Sequence, residues 1–387
     1  MIVDQTWIAR NLGFNPAETL VPAAAHEFPP SAQPKPTLAA IQREIIDFDS
    51  QSPAGLGFLA FTTATGLTRF SEIDWPKKLA PKTASKPGGT GKGRLPRADV
   101  LLATWTVDEG HALSRVLTPG KDSRNDYIPY THNFATISKK MRAGCPAKQL
   151  QRLGAYWVTK INGTKVVVFK FDSHLSQDTK TPPKAGETLP NYDVWKQIIE
   201  EVQPKLVITT GTAGGIGKEW EVGDVVVSPV VRFDCQKWLK NAPFHAAVFR
   251  DGLPNMKFMA TAKKLFKANS DQLPPENTRS PKIFLAKGPA KSVLTTDFFG
   301  FDTSSNHYKL QGLGSVSEMG DAVLGQLAAD LKNPSRWVAV RNVSDPQIKS
   351  VGTIEKQAQL AAQIYKGFGR WSSVCSAIVC WALIAAE

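Results

Sequence analysis

From residue 99 onward, short apolar runs alternate with stretches of helical spacing. Residues 100–103 (Val-Leu-Leu-Ala) form an apolar run between polar flanks, the pattern of a buried strand. Residues 157–161 and 165–171 are rich in β-branched and aromatic side chains. They flank Asn162-Gly163, a pair that readily adopts the positive φ angles of a two-residue hairpin turn. The spacing predicts a helix over 193–202, then a strand over 206–210 leading into a glycine-rich turn. Residues 222–231 read as one strand centred on three valines. Further strands are predicted at 283–286, 292–295 and 337–340, and helices at 318–331, 354–368 and 370–386. Segments 174–190 and 268–281 are polar, contain proline and read as loops, and no internal repeat is present. Strands that are apolar throughout, alternating with helices, predict an α/β fold whose sheet is covered on both faces.

The first 96 residues have a different texture, rich in Pro, Ala and Ser. One helix is predicted at 37–48, capped by Thr37, and residues 80–96 read as a linker of Pro, Gly and Lys. This divides the chain into an N-terminal extension with a basic linker (1–96) and a catalytic domain (97–387). The glycine run at 88–93 fails the P-loop pattern. Lys86 stands where the first Gly is required, and Gly93 stands where Ser or Thr should ligate magnesium.

Composition narrows the picture. A hydrophobic share of 42% suits a sizeable core, and a charged share of 21% argues against wholesale disorder. The net charge of +13 is partly local: Lys77, Lys78, Lys82, Lys86, Lys92, Arg94 and Arg97 occur with no intervening acid. Such a run is either a solvated linker or an attractor of phosphate. No aromatic residue is interleaved with it after Trp75, so nucleic acid is not an expected partner. Cys145, Cys235, Cys375 and Cys380 are scattered without metal-ligand spacing, which implies reduced thiols, a cytoplasmic setting and no metal or other cofactor. No signal peptide is evident. The apolar stretch 374–386 is too short to span a bilayer, so no membrane association is expected.

The most informative run is 207–216. A buried strand delivers Gly211-Thr212-Ala213-Gly214-Gly215, where small residues let a ligand approach the backbone. The run Val-Gly-Asp-Val-Val-Val-Ser follows at 222–228. Together these resemble the signature of the superfamily of purine nucleoside phosphorylases and methylthioadenosine/S-adenosylhomocysteine nucleosidases. Three later segments fall in the order the resemblance requires: Leu-Thr-Thr-Asp-Phe-Phe at 294–299, Val-Ser-Glu-Met-Gly-Asp-Ala at 316–322, and Val-Arg-Asn-Val-Ser-Asp-Pro at 340–346. The likeness runs from about residue 97 to the end. It implies a central mixed sheet flanked by helices and cleavage of the N-glycosidic bond of a purine nucleoside or nucleotide.

The chemistry suits these residues. Cleavage passes through an oxocarbenium-like sugar, and the leaving base gathers negative charge that a carboxylic acid can neutralise. Asp345, at a strand end, fits that acid if burial raises its pKa; otherwise it caps the turn before Pro346. The resemblance implies that Glu109, in the loop after the first strand, orients or deprotonates water. The plainer reading is an acid in a first helical turn. Thr212, Ala213 and Gly214 would contact substrate, and Phe298 or, by alignment, Phe299 would stack on the base. Glu318 and Met319 match a ribose-binding pair usually written Glu-Met-Glu. The second acid is replaced here by Gly320, so Asp321 would have to take its place. Arg232 is a further, weaker candidate for the substrate pocket.

Related phosphorylases carry Pro-Gly-Asp-Pro-x-Arg after the first strand, where this chain has Thr-Trp-Thr-Val-Asp-Glu at 104–109. The missing arginine favours water over phosphate as nucleophile. The alternatives are a phosphorylase and a non-catalytic nucleoside-binding module. The resemblance also implies a homodimer. A nucleotide substrate is a further expectation if Arg94, Arg97, Lys121 and Arg124 approach the pocket mouth.

Overall fold

The computed structural model describes residues 73–88, 93–143, 145–175, 179, 182–252, 257–269, 277–332 and 334–387. The helix expected at 37–48 and most of the N-terminal extension lie outside them.

Thirteen strands among the described residues form one mixed sheet. They are β1 (Lys82–Thr83), β2 (Val100–Thr104), β3 (Ile128–Tyr130), β4 (Gly154–Ile161), β5 (Thr164–Phe171), β6 (Leu206–Gly215), β7 (Val225–Ser228), β8 (Val230–Asp234), β9 (His245–Arg250), β10 (Ile283–Leu285), β11 (Ser292–Thr295), β12 (Gly314–Glu318) and β13 (Arg336–Asp345). The helices of ten residues or more are α1 (Val107–Leu117), α2 (Pro190–Val202), α3 (Lys257–Asn269), α4 (Asp321–Asp330) and α5 (Ile354–Ala385).

The sheet is organised around β6. Parallel β2 lies on one side, from Val100 opposite Leu206 to Ala103 opposite Thr209. Parallel β13 follows β6 on the other side, from Arg336 opposite Leu206 to Asp345 opposite Gly214. Beyond the end of β2, antiparallel β12 pairs with Gly214 and Gly215. β7 pairs with β13 and β8 with β11, so the chain passes through Pro229 from one arm of the sheet to the other. Both faces are covered, as the uniformly apolar strands require. Helices α1, α3 and α5 share one core, which includes Val116, Phe258 and Phe368. Helices α2 and α4 share the other, with Trp195 and Leu324.

The expected hairpin is present: Asn162 and Gly163 have φ of 49° and 86°, and β4 and β5 pair in register around them. Several boundaries differ from the sequence reading. The strand expected at 222–231 is two strands, because Pro229 has no N–H to donate to a ladder. The glycine-rich segment 211–215 is the end of β6, paired with β13 and β12, rather than a turn. The helix expected from residue 318 begins at Asp321, and Glu318 ends β12. The two C-terminal helices are one, continuing through Gly367 and Gly369. A glycine costs about 1 kcal/mol in a helix interior, and the burial of nearly every residue of this segment outweighs that. Its length and apolarity would suffice to cross a membrane, but its most apolar stretch is 94% buried inside the fold. It is a core helix.

Part of the extension and linker assigned to 1–96 belongs to this body. Ile73 is buried, β1 pairs with β4, and the Trp381 indole donates to the Leu79 carbonyl at 2.7 Å. Trp381 is fully buried and meets Trp75 edge-on. We expect W381A to lose about 3–5 kcal/mol of stability, the usual cost of emptying a large aromatic site. Urea unfolding measures it, and a loss below about 1 kcal/mol would contradict a core position for α5.

Candidate active site

Parallel strands that end together leave their C-terminal ends facing one cleft. Here the ends of β2, β6, β12 and β13 border one cleft. Three carboxylates line it, Glu109, Glu318 and Asp345, all buried. They differ in what surrounds them.

Arg341, in the middle of β13, is 2% exposed. Its Nε donates to Asp321 Oδ2 at 2.8 Å, and its Nη2 contacts both Asp321 Oδ1 and, at 3.1 Å, Glu318 Oε2. The guanidinium also lies 4.7 Å from the centre of the Trp105 ring. A buried cation requires such partners, because an unpaired one costs several kcal/mol. Glu318 in turn accepts the backbone N–H of Gly320 at 2.7 Å, that of Asp321 at 2.9 Å, and the Thr295 hydroxyl. It thus closes the amino end of α4, where free amides favour an anion. Burial and the neighbouring Asp321 charge still raise its pKa, against the pull of Arg341.

Glu109 is not in a loop. It is the third residue of α1 and forms a capping box with Thr106. Its Oε2 accepts from the Thr104 hydroxyl at 2.7 Å and from the N–H groups of Trp105 and Thr106 at 3.0 and 2.9 Å. Its Oε1 accepts from the Thr212 N–H at 2.7 Å and the Thr212 hydroxyl at 2.8 Å. Burial pushes its pKa up, but Arg341 and these donors outweigh that and hold the carboxylate below its ordinary range. Gly211 makes the contact possible. It adopts φ of 150°, and a Cβ there would overlap the Glu109 carboxylate.

Asp345 is the opposite case. It is 2% exposed and faces no cation. Ser344 donates to its Oδ1 at 2.8 Å, while Oδ2 is buried with no hydrogen-bond partner among the described residues. Burial pushes its pKa up to about 8, only partly offset by Ser344. With Oδ1 already accepting, Oδ2 is the oxygen that carries the proton.

Of the residues singled out from sequence, Asp345, Glu109, Thr212, Ala213, Gly214, Phe299, Glu318 and Met319 line the cleft together. Phe299 meets Tyr365 of α5 edge-on at 6.4 Å. Phe298 does not line the cleft: it packs on Tyr308, with Lys237 over its ring. Asp321 does not take the place of the missing second acid, because Arg341 occupies both its oxygens. Arg232 sits on β8 opposite Leu294 and Val248 and is not among the cleft residues. Sequence reasoning missed Trp105, His174, Arg341 and Tyr365. Arg341 was within reach, as a lone charge in an apolar strand run. His174, expected in an uninformative loop, lines the cleft, and burial pulls its pKa down to about 4.

Arg94, Arg97, Lys121 and Arg124 do not line the cleft. β2 rises about 3.3 Å per residue, so Arg94 and Arg97, which precede its first residue, lie at the far end of the sheet. There they border a separate groove with Glu201 and Lys196. Lys121 covers the Trp157 ring and contacts Asp126, and neither it nor Arg124 lines the cleft.

This chain is similar to several solved structures. One is the 5'-methylthioadenosine/S-adenosylhomocysteine nucleosidase of Neisseria meningitidis in complex with methylthio-immucillin-A: 17% identity, 75% of this chain and 100% of that chain, TM-score 0.45. The Helicobacter pylori nucleosidase of the same name, with butyl-thio-DADMe-Immucillin-A, shares 13% identity over 75% of this chain and 99% of that one, with a TM-score of 0.47. Futalosine hydrolase of Helicobacter pylori strain 26695 shares 13% identity over 74% and 97%, with a TM-score of 0.46. A family model described as the phosphorylase superfamily matches residues 132–369, more than half of the chain. The match contains Thr212, Glu318, Arg341 and Asp345 and begins after Trp105 and Glu109. On that match, the chain belongs to the phosphorylase superfamily.

Proposed function

We propose that this protein hydrolyses the N-glycosidic bond of a purine nucleoside. The observation that carries the reading is the pairing of a neutral acid and an ionised one in a single cleft. Asp345 keeps a proton to hand to the leaving base, while Glu109 stays negative beside it. The face of Phe299 and the small strand end at 212–214 offer a slot for a planar base. As the bond lengthens, positive charge grows on the sugar. Arg341 is shared among Glu109, Glu318 and Asp321, so the acids outnumber the cation and the surplus negative charge opposes the developing oxocarbenium. For Glu109 to take a proton from water, one of its donors must turn away. The Thr212 hydroxyl can rotate, whereas the backbone amides cannot.

Water rather than phosphate as nucleophile is supported by the cleft's charges. Arg341 is the one lysine or arginine among its described lining residues, and it is committed to carboxylates. The same observation favours a nucleoside over a nucleotide, against the sequence expectation that the basic run reaches the mouth. Four buried cysteine thiols suit a reducing, cytoplasmic setting. Homodimerisation is part of the proposal, and light scattering that found only monomers would count against it.

The direct test incubates the protein with adenosine, deoxyadenosine and thioether nucleosides, with and without phosphate. Free base accompanied by free sugar, at a rate indifferent to phosphate, is the expected result. Sugar 1-phosphate among the products would make it a phosphorylase. D345N should retain the fold and lose about 10²–10⁴-fold in kcat, the usual worth of one acid catalyst.

The pH dependence follows from the direction of the shift. Asp345 is protonated in the fold up to about pH 8, so turnover should decline tenfold per unit above that. Its unfolded value lies near 3.9. Between the two values the folded chain holds the extra proton, so stability falls as pH rises across that window. D345N should therefore flatten the slope of stability between pH 5 and 8. A variant with the wild-type slope would show that Asp345 titrates normally.

A further inference from the structure

The basic run of the N-terminal linker has no part in the cleft. In the fold it joins a row of charge at the opposite end of the sheet. Lys82 of β1 lies directly opposite Lys160 of β4, and Lys160 directly opposite Lys165 of β5. Directly opposed residues put their side chains on one face, so the three lysines form a ladder across three adjacent strands. Lys82 and Lys160 are exposed and Lys165 is half-buried. The row continues to Asp99 and Lys205, which immediately precede β2 and β6. Asp99 is the one acid in it, and both its oxygens are taken. Oδ1 meets Lys205 Nζ at 3.0 Å, and Oδ2 accepts the Lys165 backbone N–H at 3.1 Å. The ammonium groups of Lys82, Lys160 and Lys165 make no ion pair among the described residues.

Like charges directly opposite one another destabilise a sheet. A lysine on an edge strand discourages pairing with another chain, which accounts for Lys82. It does not account for Lys160 and Lys165, because β4 and β5 each have a strand on both sides. A glutamate at Lys160 would turn the cost into attraction on both sides. Neighbouring acids do not neutralise the row either. Glu387, brought close to the hairpin by the hydrogen bond from Asn162 to the Ala385 carbonyl, is paired with Arg336 at 2.7 Å. Glu201, in the groove bordered by Arg94 and Arg97, is taken up by Tyr130, His132 and the Leu95 N–H. Lys86, Arg94 and Arg97, on the segment leading from β1 to β2, are exposed and add to the positive field.

Neighbouring strands lie about 4.8 Å apart, so the stems of the three lysines span about 10 Å. Phosphates along one strand of a nucleic-acid duplex are spaced about 3.4 Å along its axis, and that span covers about three of them. Lysine meets phosphate as a point charge and carries no sequence information. The row has no aromatic side chain on which unstacked bases could lie. The exposed large apolar residues, Ile128, Leu150, Trp238 and Val351, lie outside it, so it has nothing to insert among lipid chains. We propose that the ladder of Lys82, Lys160 and Lys165 is a docking face for the backbone of double-stranded nucleic acid, bound without regard to sequence. It lies at the end of the sheet away from the cleft, so the inference does not depend on what the cleft cleaves.

The test follows binding of a fluorescein-labelled DNA duplex to the full chain by anisotropy over a range of salt concentrations. The single strand, and vesicles of phosphatidylserine and phosphatidylcholine, are measured beside it. K82Q/K160Q/K165Q is compared with K82R/K160R/K165R and with K282Q/K287Q/K291Q, which removes the same charge from exposed positions around β10. The first variant should lose at least about tenfold in duplex affinity, with a salt slope shallower by about 2 to 3. The arginine set and the β10 set should keep both. Each single Gln substitution in the ladder should make the slope shallower by about 1, a readout that stands even if the triple variant is poorly folded. No duplex binding by the wild type would overturn the inference. So would an equal loss in the β10 set, which is what net charge alone would produce, or tighter binding to the single strand or to the vesicles.

Discussion

A single arginine buried among acids sets the terms for the rest of the cleft. Arg341 is almost wholly removed from water, so it must be matched by charge at close range. Asp321 meets it through two oxygens, Glu318 through one, and Glu109 feels it through space. That requirement places the start of α4, the end of β12 and the start of α1 around the middle of β13. It also explains why these acids stay on one side of the cleft. Asp345, four residues further along β13, lies beyond this group and keeps its proton.

The separation of charge states is therefore a product of chain geometry. Successive residues of a strand point to opposite faces, so Arg341 and Val343 share a side of β13. The ladder slips between Val343 and Asp345, where β6 supplies Gly214. Small residues at 211–215 let β6 carry backbone to both sides of the cleft: Thr212 toward Glu109, and Gly214 beside Asp345. A bulkier strand end would push the two acids off the same cavity.

Trp105 ties this arrangement to the opposite core. Its ring joins the aromatic cluster of Phe171 and Trp195 under α2 and also forms the base on which Arg341 rests. An indole here fills space that would otherwise admit water to the ion pairs, and a drier site strengthens every charge interaction within it. The same packing explains why residue 320 is glycine.

Much of this was legible in the sequence. Apolar runs marked β2, β4, β5, β6, β11 and β13, because strands buried on both faces need no polar positions. The order of small-residue and acid-bearing segments pointed to Asp345, Glu109, Thr212 and Glu318, which do line one cleft. Local chemistry also accounts for the hairpin at Asn162-Gly163. Pairing across long chain separations was not legible. Glu109 meets Thr212, 103 residues away, so its state as a hydrogen-bonded anion in a first helical turn depended on the fold. Asp321 and Phe298 stand beside the right motifs but turn elsewhere, toward Arg341 and Tyr308. A basic run close to β2 in sequence lies at its far end in space, since a strand carries its flanks apart. Sequence by itself determined which residue types end up at the strand ends. Only the tertiary structure decided which acid holds a proton and which aromatic ring covers Gly320, because charge state and shape depend on neighbours that the chain brings together from distant segments.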